Sequence, residues 1–115
     1  MVVEDDAGMR QAIERLLQAA GYSTAALESA EALLEAGAAA GAGCLVLDIR
    51  LPGFSGCELS ARLAEDGGAP PVIFMTAHDE PAARAAAERA GGIAYLPKPF
   101  AGRMLLDAVA RALGP

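Results

Sequence analysis

Four short apolar runs, each stopping on polar groups, constrain this chain more than any other feature. Met1-Val2-Val3 runs into Glu4-Asp5-Asp6. Cys44-Leu45-Val46-Leu47 runs into Asp48 and then Ile49-Arg50-Leu51-Pro52-Gly53. Val72-Ile73-Phe74-Met75 runs into Thr76, and Ile93-Ala94-Tyr95-Leu96 runs into Pro97-Lys98-Pro99. Apolar runs of this length without alternation read as strands buried on both faces. Helical stretches separate them, and that alternation is the mark of βα units and a parallel sheet. In open α/β sheets ligands bind at the carboxyl edge of the strands. If the strands are neighbours, three acids, a hydroxyl and an ammonium meet there in one small pocket.

Five such units are predicted. The first strand spans about Met1–Glu4, and its helix spans about Ala7–Ala20, with Met9, Ile13, Leu16 and Leu17 on one face and Gly21 as the stop. A second strand, the least distinct, covers about Tyr22–Ala26. Its helix starts after the N-cap Ser29 and runs to about Ala38. The third strand is Cys44–Leu47. After a turn over Pro52–Gly56 the third helix covers about Cys57–Glu65. The fourth strand is Val72–Met75, and its helix covers about Pro81–Ala90, with proline at the tolerated first position and Gly91-Gly92 just beyond its end. The fifth strand is Ile93–Leu96, and the fifth helix is about Ala101–Leu113. Gly37–Gly43 and Gly67–Pro71 read as loops. The first strand is short: either residues precede Met1 or the strand is minimal.

With 115 residues the chain has the size of one domain. Its 54% hydrophobic content is inflated by alanine, with only 4% aromatics and no Trp, so tightly packed helices with small side chains are expected. A net charge of −6 argues against contact with nucleic acid or an anionic membrane through this domain's own field. No stretch approaches the roughly 20 apolar residues of a membrane span, and no leader pattern precedes the first strand. Cys44 and Cys57 lack metal-site spacing and read as reduced thiols of a cytoplasmic protein.

Glu4, Asp5 and Asp48 are the candidate chemistry. Carboxylates about 4 Å apart repel by roughly 4 kcal/mol per pair at an effective dielectric near 20. A hard divalent cation offsets that, and Mg²⁺ takes one or two carboxylates together with phosphate oxygens. Lys98 would add positive charge and Thr76 a hydrogen-bond donor. This is equipment for phosphoryl transfer, in which a carboxylate can itself become the acyl phosphate. Asp6 reads as a helix N-terminal acid.

These residues resemble a known family, the response-regulator receiver domains of two-component phosphorelays. The resemblance covers essentially the whole chain. It rests on Val2-Val3-Glu4-Asp5-Asp6, Leu45-Val46-Leu47-Asp48 with Leu51-Pro52-Gly53 and Gly56, Met75-Thr76-Ala77, and Lys98-Pro99-Phe100. It implies a flavodoxin-like, doubly wound, five-stranded parallel sheet of order 2-1-3-4-5 with five helices. It implies Asp48 as phosphoacceptor, with Thr76 and Lys98 completing the catalytic set. Mg²⁺, or Mn²⁺ in its place, would be held by Asp5, by Glu4 through water, by Asp48 and by the backbone carbonyl of Arg50. Thr76 and Tyr95 would form the switch, and the Lys98-Pro99 bond would be cis. Arg50 and His78, each two residues beyond a site residue, would modulate the lifetime of the phosphoryl group. The donor would be a sensor histidine kinase or a phosphotransfer protein.

By the same resemblance, residues 1–115 form one receiver domain with no output domain following, either standing alone or excised from a longer regulator. The face of helix four, strand five and helix five would carry the signal, with transcription as the output. Ala83, Ala86, Ala87 and Ala90, with Met104 and Asp107, suit homodimerisation or docking there, although part of the alanine set must be core and core packing is the stronger explanation for any one of them. Catalysis would extend only to the domain's own phosphorylation and dephosphorylation. Two other readings compete. A pseudo-receiver interaction module is disfavoured by the full set Glu4, Asp5, Asp48, Thr76 and Lys98. A haloacid-dehalogenase-like phosphatase needs a second acid two residues after its nucleophile, where this chain has Arg50. A dinucleotide-binding domain fails because the first turn is acidic and lacks glycines.

Overall fold

The computed structural model describes residues 1–36, 42–51, 54–65 and 70–114. Its elements are β1 Val2–Val3, α1 Ala7–Ala19, β2 Ala26–Leu27, α2 Ala30–Ala36, β3 Leu45–Asp48, β4 Arg50–Leu51, β5 Phe54–Ser55, α3 Gly56–Glu65, β6 Val72–Thr76, α4 Pro81–Arg89, β7 Ala94–Pro97 and α5 Gly102–Leu113. The main sheet has the order β2-β1-β3-β6-β7 and every pairing in it is parallel. With the β4–β5 ribbon set aside, this is the expected 2-1-3-4-5 arrangement with five helices.

Side-chain alternation along the strands divides the interior into two layers. Val2, Val46, Ile73 and Met75 face Ile13 and Leu17 of α1 and Leu105, Ala108 and Val109 of α5. Val3, Leu45, Leu47 and Phe74 face Ala30 and Leu33 of α2, Leu59 and Leu63 of α3, and Ala87 of α4. Both faces of β3 and β6 are therefore covered, which is why their sequences carry no polar alternation until the last residue. No helix among the described residues is long and apolar enough to cross a membrane.

The second strand departs from expectation. It is Ala26–Leu27 rather than Tyr22–Ala26. Gly21, with φ +95°, ends α1 in a Schellman turn: its amide bonds to the Gln18 carbonyl, and the Tyr22 amide bonds back to Leu17 at 3.0 Å. The Thr24 hydroxyl is held by Gln18 and Glu14. Residues 22–24 are thus spent on the helix end, and the ladder begins only where the chain comes alongside Val2.

Other boundaries shift by one or two residues. The third strand is Leu45–Asp48, so Cys44 stays outside it, although buried. Asp48 itself belongs to the strand, in register with Met75. The antiparallel ribbon Arg50–Leu51 with Phe54–Ser55 replaces part of an expected turn. Leu51 of this ribbon is buried in the core. The third helix accordingly starts at Gly56, not Cys57. The expected Pro52-Gly53 turn residues, the expected end of the second helix near Ala38, and most of the Gly37–Gly43 and Gly67–Pro71 loops lie outside the described residues. The Ser29 cap is as expected: its hydroxyl accepts from the Ala32 amide at 3.1 Å. Asp6, expected as an acid complementing the dipole of the first helix, is its N-cap and accepts from the Met9 amide at 3.1 Å. Pro81 opens α4.

Candidate functional site

The site forms where β1, β3, β6 and β7 end side by side. Each strand stops being apolar at the sheet's carboxyl edge, so its next side chain is delivered into a common niche. Parallel pairing sets the heights: Val3 is level with Leu47, Asp48 with Met75, and Thr76 with Pro97. Glu4, only 1% exposed, Asp48 and Thr76 are buried there, whereas Asp5 is exposed at the rim.

Lys98 crosses from β7 and ties the acids together. Its Nζ donates to Asp48 Oδ2 at 2.6 Å and to Glu4 Oε1. Asp48 Oδ1 accepts from the Arg50 amide at 3.0 Å, which orients the carboxylate. Glu4 Oε2 accepts from the Asp6 amide at 3.4 Å. Burial pushes the Glu4 carboxyl above its ordinary range; the Lys98 hydrogen bond opposes this, and the charge on Asp48 adds to it. Burial alone would lower the Lys98 ammonium, but its hydrogen bonds to Asp48 and Glu4 outweigh burial and hold it above its usual value.

One carboxylate oxygen from each of Glu4, Asp5 and Asp48 lies within 4.8 Å of the others. The set consists of hard oxygen donors, and among the described residues the Lys98 ammonium pairs with two of the three acids, Glu4 and Asp48, so acidic groups outnumber it in the niche. A small hard dication suits such a donor set. Glu4 is anchored directly on Lys98, a contact the sequence did not reveal.

The Thr76 hydroxyl faces the loop that follows it. It accepts from the His78 amide at 3.0 Å and lies 3.3 Å from the His78 carbonyl oxygen. The His78 side chain is exposed. The Arg50 side chain is also exposed, with its guanidinium 3.9 Å from Glu80. Tyr95 is half-buried on β7, and its hydroxyl donates to Asp79 Oδ1 at 3.0 Å. The Lys98-Pro99 peptide is cis.

Two features escaped the sequence reading. Arg10 on α1 donates from Nη1 to the Glu4 carbonyl at 2.8 Å and reaches the Asp5 carbonyl at 3.5 Å, clamping the acidic turn. Its spacing from Asp6 suggests an i,i+4 ion pair, which conceals a main-chain role. Gly56 approaches Asp48 so closely that a Cβ there would lie 2.3 Å from the Asp48 carbonyl oxygen. The sequence marks Gly56 as part of a motif without saying why.

Residues 1–110 match the family model described as response regulator receiver domain. Nodulation protein W of Bradyrhizobium diazoefficiens is 39% identical over 96% of this chain and 49% of its own length. The transcriptional regulatory protein FixJ of Azorhizobium caulinodans is 36% identical over 98% of this chain and 54% of its own length. The chain thus spans about half the length of these two curated relatives. The crystal structure of a response regulator receiver protein from Burkholderia phymatum superposes with a TM-score of 0.85 at 41% identity, covering 98% of this chain and 92% of that one. Family model, relatives and fold agree: this chain belongs to the response regulator receiver domains of two-component signalling.

Proposed function

We propose that Asp48 is the phosphoacceptor and that a sensor histidine kinase or phosphotransfer protein supplies the phosphoryl group. Receiver domains are signalling domains phosphorylated by histidine kinases, and they generally bind Mg²⁺ in an acidic pocket. The observation that carries the residue assignment is the triad Glu4, Asp5 and Asp48 within 4.8 Å, with Lys98 bridging two of its members. An Asp48 carboxylate oxygen attacks phosphorus, the bond from phosphorus to the donor nitrogen breaks, and the donor imidazole leaves with that electron pair. Lys98 draws charge from the reacting carboxylate and meets an incoming phosphoryl oxygen. The Arg50 amide keeps the carboxylate oriented. Thr76 exchanges its His78 partner for a phosphoryl oxygen, and Tyr95 follows it.

Glu4, Asp5, Asp48 and the Arg50 carbonyl would hold Mg²⁺, or Mn²⁺, which when bound neutralises charge accumulating on the phosphoryl oxygens. Arg50 and His78, exposed beside this edge, set how readily water reaches the acyl phosphate and so the lifetime of the modified state. Hydrolysis, like phosphorylation, is the domain's own reaction. Residues 1–115 act as one phosphoacceptor unit, a reading the family match to residues 1–110 supports. The face formed by α4, β7 and α5 transmits the state and can pair with a second copy. Met104 of α5 is exposed, whereas Ala87 is buried in the core and the partly buried Ala83 and Ala90 pack against it. Relatives described as transcriptional regulators support a transcriptional output for the whole protein, in the cytoplasm.

The test is incubation with Mg²⁺ and acetyl phosphate or phosphoramidate, read by intact mass. Gain of one phosphoryl group is expected, lost in Asp48→Asn and when metal is withheld. An adduct that survives the substitution would move the phosphosite elsewhere. No adduct with any donor would favour a pseudo-receiver.

A further inference from the structure

The loop of residues 77–80 leads from the acidic pocket to the proposed output face, and three successive residues in it are anchored to three different places. His78 is bound through its backbone to the Thr76 hydroxyl. Asp79 is bound to Tyr95 and to Arg84 of α4, with an Arg84 nitrogen 3.4 Å from Asp79 Oδ1. Glu80 faces Arg50, two residues from Asp48. The Arg84 guanidinium also lies over the Tyr95 ring, 4.5 Å from its centroid. Tyr95 is therefore gripped at both ends of its polarity, its hydroxyl by a carboxylate and its ring face by a cation.

Register gives this grip its consequence. Phe74 pairs with Tyr95 and Thr76 with Pro97. Tyr95 and Thr76 therefore share one face of the sheet, one step apart on adjacent strands. An inward swing of the ring brings it toward the Thr76 position and must first break the bond to Asp79. A move of Thr76 away from His78 slackens the same short loop that carries Asp79.

We infer that Asp79 and Arg84 form a latch that holds Tyr95 outward and ties its release to the Thr76 hydroxyl, so that they are positioning residues which set how easily Asp48 is phosphorylated. This rests on the phosphoacceptor and switch roles proposed above. The latch opposes the phosphorylated conformation through differential contact: it stabilises one rotamer of Tyr95 and not the other, which is the only way a contact shifts a two-state balance. Neither residue touches Asp48, so no effect on the chemistry itself is expected.

The chain has two tyrosines and no Trp, so fluorotyrosine labelling yields two ¹⁹F signals, and Tyr22→Phe identifies that of Tyr95. Asp79→Ala and Arg84→Ala are expected to shift the Tyr95 signal and to raise the rate of Asp48 labelling by acetyl phosphate by about two- to tenfold, the factor corresponding to one hydrogen bond of ordinary net strength. Asp79→Asn, which keeps an acceptor oxygen, should give a smaller change. In a Tyr95→Ala background, Asp79→Ala should change the labelling rate no further. An unchanged Tyr95 signal in Asp79→Ala overturns the latch. So does a rate increase that persists without Tyr95, since Asp79 would then act on the pocket by another route. If the wild-type protein takes no label at all, the phosphoacceptor reading fails instead, and the ¹⁹F signal still decides whether the grip exists.

Discussion

Replacing Gly56 by alanine tests whether backbone proximity, rather than side-chain chemistry alone, sets up the pocket. The added Cβ would lie 2.3 Å from the Asp48 carbonyl oxygen, 3.1 Å from its carbonyl carbon and 3.2 Å from Ile49 Cα. All three are main-chain atoms, so no side chain can rotate away. Relief to the closest tolerable contact, 3.0 Å, needs a displacement of about 0.7 Å. Either Asp48 moves or the start of α3 does, and the Gly56 amide, bound to the Ile49 carbonyl at 2.7 Å, resists both. Overpacking of this kind costs about 1–3 kcal/mol, partly offset by the smaller backbone entropy of alanine in the unfolded chain. For a domain of this size, 2 kcal/mol corresponds to a fall in Tm of roughly 10 °C. Misplacing a reacting group by 1 Å can cost about 100-fold in rate, so labelling of Asp48 should fall by at least about tenfold even where the protein remains folded. Calorimetry and intact-mass kinetics measure the two effects separately. Wild-type melting and wild-type labelling in Gly56→Ala would show that the close approach is immaterial and that the start of α3 does not position Asp48.

Two further outcomes follow from the charge arrangement. Lys98→Met leaves Glu4 and Asp48 buried against each other without their ammonium, and breaking a buried pair in this way costs roughly 3 kcal/mol. Denaturant titration at neutral pH should show that loss, with part of it recovered on adding Mg²⁺, and acetyl phosphate labelling should fall at least about tenfold; a variant as stable as wild type would refute the bridging role. Tyr95 should titrate above the ordinary phenol value, because burial, then its bond to Asp79 and that carboxylate's charge, disfavour the phenolate, with Arg84 opposing. A raised folded-state pKa means that this contribution to stability is complete below the unfolded phenol pKa and is lost as pH rises through the folded one. Phenolate absorbance should therefore show Tyr95 ionising late, and earlier in Asp79→Ala; identical curves would contradict it.

The sequence alone determined the alternation of strands with helices and the chemical inventory, while the strand order came with the family resemblance and was fixed by the fold. Short apolar runs without alternation, bounded by turn residues, read as strands covered on both sides, and helices between them favour parallel pairing. The polar group closing each run is thereby carried to one edge. Glu4, Asp48, Thr76 and Lys98 were all legible in this way, because the signal lies in the break of a pattern. Ser29 was legible as an N-cap, and Asp6 as an acid at the start of α1, for the same local reason.

What only the tertiary structure decided depends on contacts between residues far apart in sequence. Lys98 reaches back across more than ninety residues to Glu4. Tyr95 meets Asp79 and Arg84 because β7 lies beside the start of α4. The true second strand was hidden because the Schellman turn at Gly21 consumed the residues whose composition favoured a strand. Gly56 is required by the distance between two backbones, which no local pattern records. Periodicity reports how a residue is buried; the partner it is buried against is set by the packing of the whole sheet.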